Sequence, residues 1–305
     1  MKAFGNTKAK KKWRKRKCDR GVMRRISVLV QKLMLFFAIM IILVPIFMLL
    51  TGSLLGKHEA ESLLSPVLSK KATGFAQWQL FPLYPTMAGY VELLLDTPEF
   101  FIMFFNSVKE VVPIVGFQFL IATTSAWAFA RFQFHGKRIL FGLYLLLMIL
   151  PFQVTMVPNY LVLDKLKLMN TQWSLILPAI FSTFPVFLMT RFFKAIPQTL
   201  IDAGRIDGAG EWRIFFFIGI PLGMPGISSA LLLSFFEYWN MIEQPLVFLK
   251  DVSKYPVSLY LPNITAEQIG LSLSASVLIM APSIFAFFWG QEYLEQGVGD
   301  PAMKG

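Results

Sequence analysis

The sequence predicts an all-α integral membrane protein with six transmembrane helices, and three observations carry that reading. The mean hydropathy is +0.58. Only 15% of the 305 residues are charged while 31 are phenylalanine, a composition far more apolar than soluble domains use. Six strongly apolar windows lack Asp, Glu, Lys and Arg: residues 33–50, 111–130, 139–163, 168–190, 214–236 and 268–291. Each holds 18 to 25 residues, and about 20 apolar residues cross the hydrocarbon core. With the N-terminus inside, 21 of the 29 Lys and Arg fall in segments on the cytoplasmic side. That asymmetry is the positive-inside rule, so both termini are expected to be cytoplasmic.

Taken in order, residues 1–32 form a basic tail containing KKKWRKRK at 10–17. Its place directly before the first span favours a topology signal and contact with anionic lipid over nucleic-acid binding. The first apolar run is longer than a signal-peptide core, and no small-residue cleavage site follows it, so it reads as an uncleaved anchor. Cys18 is the one cysteine, which excludes an intrachain disulfide. His58 and His135 fall on opposite membrane faces, which argues against a metal site. Residues 51–105 form an outer segment whose WQLFPLYPTMAGY is too rich in turn formers for one long helix. Trp78 and Tyr84 in it either meet an external protein or anchor at the membrane interface. The connections RFQFHGKR and DKLKLMN on either side of the third span are short, which makes spans two to four antiparallel neighbours.

The connection between spans four and five is different. It carries IDAGRIDGAG at 201–210, polar and punctuated by glycine. Pro197 suits a first helical position, and QTLIDAGRI continues as a short helix. Gly208 can take positive φ, and Asp207 can cap the next turn. Trp212, Phe215, Phe216 and Gly219 recur on one face of a second helix. The insert at about 196–220 therefore reads as helix, sharp turn, helix across the inner membrane face, with Pro221 and Pro225 opening the fifth span. Connections this long seldom carry such patterning without a role.

Polar residues within apolar spans are costly and usually face a bundle interior or cavity. The candidates are Asn106, Gln118, Gln153, Asn159, Glu237, Asn240 and Gln244. Glu237, Asn240 and Gln244 stand at i, i+3 and i+7, one helical face directed to a translocation pathway or to another membrane subunit, and Asn106 joins that set. Gln118 and Gln153 read instead as interhelical hydrogen bonds, each about 1 kcal/mol. No nucleophile, base and orienter form a catalytic set, and no G-x-x-x-x-G-K-[ST] loop is present.

The stretch DAGRIDGAGEWRIFFFIGIP resembles the cytoplasmic signature of bacterial ABC importer permeases, E-A-A, three residues, then G, ending in I-x-L-P. Asp202, Ala203 and Gly204 occupy the E-A-A positions, Asp207, Gly208 and Ala209 match D-G-A, and Ile218, Gly219, Ile220 and Pro221 match the close. Asp202, Gly204 and Ile220 depart from the pattern, and Gly204 should weaken the first helix by about 1 kcal/mol relative to Ala. From about residue 81 onward the chain is similar to the maltose-type carbohydrate branch: FPLYPTMAGY, NSV at Asn106, AWAFARFQFHGK, LPFQVTMVPNY, WN at Trp239, and the tail QEYLEQGVGDPAMKG.

The resemblance implies a six-span permease domain at 33–291, followed by a cytoplasmic tail at 292–305, in a bacterial cell membrane. Such a subunit pairs with a second homologous permease. It docks through Asp202, Ala203, Gly204, Asp207, Gly208, Ala209, Trp212 and Pro221 on two cytoplasmic ATPases, which bind ATP and Mg. A carbohydrate, in this branch an oligosaccharide, arrives from an extracytoplasmic binding protein; the permease itself holds no cofactor and catalyses nothing. A non-sugar solute such as a peptide or amino acid stays open, because the signature is shared. A secondary transporter would call for internal repeats and an ion-coupling site, and neither is visible.

Overall fold

The computed structural model describes residues 6–68, 75, 79, 81–260 and 268–298, together with the side chains of all these except 6–26, 61, 64–68 and 297–298. Trp78, the side chains of the basic tail at 10–17, Cys18 and residues 299–305 lie outside the description. Among the described residues there is no strand. Five helical runs are long and apolar enough to cross a membrane, and six if one sharply bent pair counts as a span.

The long α1 (Asn6–Gly52) contains the first of these runs, Ser27–Gly52. Its side chains from Ser27 to Phe47 are all exposed, so this part flanks the bundle, and α1 is in contact with α13 (Ile269–Val298), which is also met just past the end of α1. There Ser274 Oγ donates to the Ser53 carbonyl at 3.1 Å. The outer segment then forms α2 (Lys57–Leu68), a single turn α3 (Ala88–Val91) and a π-helical turn (Glu92–Asp96).

At the centre stands α4 (Pro98–Arg131). Proline opens it, where a missing N–H costs nothing. Phe100, Met103, Ser107, Val111, Ile114, Gln118, Ala122, Ala126 and Phe129 are buried at spacings of three and four, the stripe of a helix packed on one side.

The predicted third span is corrected. Residues 139–163 do not form one straight helix: α5 (Lys137–Ile149) and α6 (Phe152–Lys165) meet at 107°. Pro151 disfavours the helical region for the residue before it, and Leu150 is extended (φ −68°, ψ 124°). Each half is about 20 Å long, short of the roughly 30 Å core. The neighbourhood predicted for spans three and four holds for α5 with α8.

The fourth run, Trp173–Ala195, joins α7 (Trp173–Ile180) to α8 (Thr183–Ala195). After it come α9 (Gln198–Ile206), α10 (Glu211–Ile214), a π-helical turn (Phe215–Gly219) and α11 (Ile220–Trp239). The last three are one continuous run of 29 residues, so the second helix of the predicted insert is the beginning of the fifth span rather than a separate piece. Pro221 has no N–H for a carbonyl one turn back, and the widened π turn lies directly before it.

Glycines let α11 lie close to its neighbours. A Cβ on Gly219 would stand 2.7 Å from the Trp127 ring, one on Gly223 would overlap the Phe193 ring, and one on Gly226 would overlap Phe192. A short α12 (Glu243–Phe248) and a loop with 3-10 turns at Val252–Lys254 and Val257–Leu259 precede α13.

Candidate functional site

The glycine-punctuated turn is built by a helix stop and a close approach. Pro197 is the N-cap of α9, one position earlier than the sequence suggested. At the other end the Gly208 amide donates to the Arg205 carbonyl and the Ala209 amide to that of Gly204, both at 3.0 Å. This 5→2 and 6→1 pair is a Schellman motif, and it requires a left-handed residue; Gly208 has φ +78°. Asp207 is therefore the C-cap of α9, and the expectation that it caps the following helix is corrected, since Gly210 holds that position without a side-chain bond.

Gly204 acquires a reason. It is buried, and a Cβ there would lie 3.1 Å from Ile218 and 3.4 Å from Ile214. The helix propensity it forfeits is offset by the closeness of α9 to the start of the fifth span. Ile201 completes the inward face at 1% exposure, whereas Ile206 and Trp212 stand 85% and 69% exposed. Asp202, Ala203, Asp207 and Gly208 are exposed and Ala209 is half-buried. Pro221 does not join this cluster; it lies further along, on α11.

Polar contacts stiffen the turn from within. Gln198 Nε2 donates to Asp202 Oδ1 at 3.0 Å, Arg205 Nη1 to the same oxygen at 3.3 Å, and Arg205 Nε to Glu211 Oε1 at 2.8 Å. The hydrogen bond with Glu211 is the main reason the Arg205 pKa is raised above its ordinary value.

Arg131, which the sequence reading did not single out, ties the turn to the bundle. It ends α4, donates to the carbonyls of Phe193 and, at 2.6 Å, of Ile196, and reaches Gln198 Oε1 at 3.1 Å. Its guanidinium stands 5.6 Å from the Trp127 ring centroid. Its signal was available: one cation closing the apolar run of AWAFAR.

The polar span residues separate into two sets. Glu237 and Gln244 line one cavity of about 290 Å³ with Asn159, Ser182, Thr183 and Tyr238. They do so from different helices. The single-face reading of Glu237, Asn240 and Gln244 is corrected, because α11 stops at Trp239 and Gln244 belongs to α12. Asn240 turns back to donate to the Phe236 carbonyl at 2.8 Å.

Asn106 lies elsewhere, 6% exposed. Its amide donates to the carbonyls of Ser253 at 2.8 Å and Tyr255 at 3.1 Å and accepts from Gln172 at 3.1 Å. Every one of these contacts holds backbone or a second amide, so its geometry is that of a tether. Gln118 donates to the Ala179 carbonyl at 2.7 Å, an interhelical bond as expected. Gln153 pairs with the carboxylate of Glu243 at 2.8 Å.

The described residues thus form a bundle of apolar helices with a sharply bent helix pair beside a polar cavity and a stiffened helical turn. The family model described as "Binding-protein-dependent transport system inner membrane component" matches residues 118–300, and the chain belongs to that family of multi-pass inner membrane proteins. It is 29% identical to the arabinooligosaccharides transport system permease protein AraQ of Halalkalibacterium halodurans, over 72% of this chain and 80% of that one. A probable ABC transporter permease protein of Pyrococcus horikoshii is 33% identical over 72% and 82%. The lactose transport system permease protein LacG of Rhizobium radiobacter is 27% identical over 67% and 75%. In fold the chain is similar to a chain of a bacterial ABC transporter that imports the acidic polysaccharide alginate, with TM-score 0.74 and 21% identity, covering 88% of this chain and 96% of that one.

Proposed function

We propose that this chain is the translocation subunit of an ATP-driven importer of carbohydrate, an oligosaccharide by the similarity to AraQ and LacG. In this reading both termini and the turn around Gly208 face the cytoplasm. The subunit pairs with a second permease, two ATPases that bind ATP and Mg dock on the turn, and a binding protein delivers the sugar from outside. The 33–291 core and the 292–305 tail divide the work, the tail reaching toward the ATPases from the end of α13, which continues as helix to Val298.

One observation supports this most directly. The run Glu211–Trp239 extends about 43 Å from the turn, where Glu211 pairs with Arg205, to the cavity lined by Glu237 and Tyr238. A force applied at the turn reaches α11 through the Gly204 contact, and α4 and α8 through Arg131. The cavity then moves with the turn. Carboxylate, amide and hydroxyl groups along its wall suit the hydroxyls of a sugar.

The test is reconstitution of the chain with its second permease, ATPases and binding protein in proteoliposomes. We expect ATP-dependent uptake of labelled arabino-oligosaccharides or lactose and none of di- and tripeptides. Uptake of peptides alone would reject the sugar assignment, and uptake indifferent to ATP would reject the importer mechanism.

A further inference from the structure

A cavity of about 930 Å³ opens where α4 hands over to α5, beside the end of α8, lined by residues distinct from those of the turn and of the polar cavity. Three cations, Lys137, Arg138 and Lys194, stand on its wall with no Asp or Glu among the lining residues. All three lie at the ends of apolar runs: residues 111–130 close before Arg131, residues 139–163 open after Arg138, and residues 168–190 close before Arg191. They therefore share one membrane boundary.

The wall below the charges is apolar. Phe129, Phe141 and Leu145 line it, and Leu145 lies eight residues beyond Lys137 on α5, about 12 Å deeper along the helix. Two of the cations are already held in place: Lys194 Nζ sits 5.0 Å from the Phe141 ring centroid, and Lys137 Nζ donates to the Phe132 carbonyl at 2.7 Å.

We propose that this cavity binds an anionic phospholipid, its phosphodiester among Lys137, Arg138 and Lys194 and the upper part of an acyl chain against Phe129, Phe141 and Leu145. A cluster of like charges with no carboxylate on its wall among the described residues calls for an anion, and basic pockets between helices at the cytoplasmic face suit lipid headgroups. The apolar depth selects the source of that anion. A free phosphate has no use for it, and an acidic protein surface cannot follow it into the hydrocarbon layer. Placement at the cytoplasmic face, on the inner leaflet, rests on the proposed orientation, whereas the charge cluster and its apolar wall do not.

The experiment uses the assembled importer in nanodiscs made with phosphatidylglycerol and phosphatidylcholine, which present both leaflets alike. Annular lipid is stripped with mild detergent and the retained lipid is counted by native mass spectrometry. Wild type should retain phosphatidylglycerol over phosphatidylcholine, with the preference falling about fivefold for each charge removed in Lys194→Gln, Lys137→Gln and Arg138→Gln. Lys194→Arg, which keeps the charge, should retain it and so controls for misfolding. Equal retention by the triple variant would overturn the proposal. So would binding of inorganic phosphate that competes fully with phosphatidylglycerol, which would mean that the apolar wall contributes nothing. Loss of ATPase co-purification with unchanged lipid counts would assign the charges to the partner instead. Orientation is read separately, by labelling Gln133→Cys in intact cells with a membrane-impermeant thiol reagent.

Discussion

At one end of the bundle the loop at 249–260 is held by directional bonds from buried or capping side chains. Asn106 and Ser107 of α4 and Asn170 before α7 bind its backbone at six points: Ser253, Tyr255, Val257, Lys250, Asp251 and, through the Asn170 amide, Phe248 beside it. At the other end the turn around Gly208 is stiff within itself. Its seat on the bundle is apolar closeness at Gly204 together with the Arg131 clamp, and its outer surface is left exposed. Hydrogen bonds to backbone specify one position of a loop. A stiff element seated on apolar contacts and clamped to the ends of α4 and α8 can instead move as a unit with those helices, which is what the proposed coupling role asks of it.

The sharpest way to break this contrast is Gly208→Val. Among the described residues nothing lies within 4 Å of a Cβ placed there, so the substitution meets no obstacle among them. What it adds is the cost of positive φ, about 1–2 kcal/mol, and bulk on an exposed face, the one proposed to meet the ATPases. We expect near-normal membrane levels and a fall in ATPase docking and sugar uptake of roughly tenfold or more. Wild-type uptake would reduce the turn to a connector.

Asn106→Ala should have the next largest effect, confined to the opposite end. It strands the carbonyls of Ser253 and Tyr255 and the Gln172 amide, a loss of about 1–3 kcal/mol. Hydrogen exchange should accelerate at 250–257 and stay unchanged at 198–212. Equal acceleration at both ends would show that they are not independent.

The smallest effect belongs to Asp251. Its carboxylate accepts from the Ser253 hydroxyl at 2.8 Å and from the Ser253 amide at 3.1 Å, and these bonds hold its pKa below the ordinary value of 3.8. A depressed folded pKa gives a contribution that is complete above that value and disappears as pH falls through the folded one. Exchange at 250–254 should thus quicken only in acid, below about pH 4, and Asp251→Asn should quicken it slightly at neutral pH and flatten the pH profile.

How much of this was legible beforehand varies with the range of the interaction involved. The apolar runs were readable because crossing hydrocarbon demands a length of chain, and length is a local property. Gly208 was readable for a similar reason: positive φ is a requirement of one residue. By contrast, Pro151 sat in full view inside an apolar run, yet the run was counted as one span with no bend, since hydropathy carries no direction. The face formed by Glu237, Asn240 and Gln244 failed because its spacing assumed a helix that stops at Trp239.

By itself, then, the sequence determined the solvent this protein lives in, the number of apolar runs, and the place of the helix-breaking turn, each set by the chemistry of a few neighbouring residues. Only the tertiary structure decided that Asn106 tethers a loop about 150 residues away, that Arg131 clamps the seat of the turn, and that Gly204, Gly219, Gly223 and Gly226 are small because another helix is close. Those assignments depend on which surfaces meet, and surfaces far apart in the chain are brought together by the packing of the whole bundle.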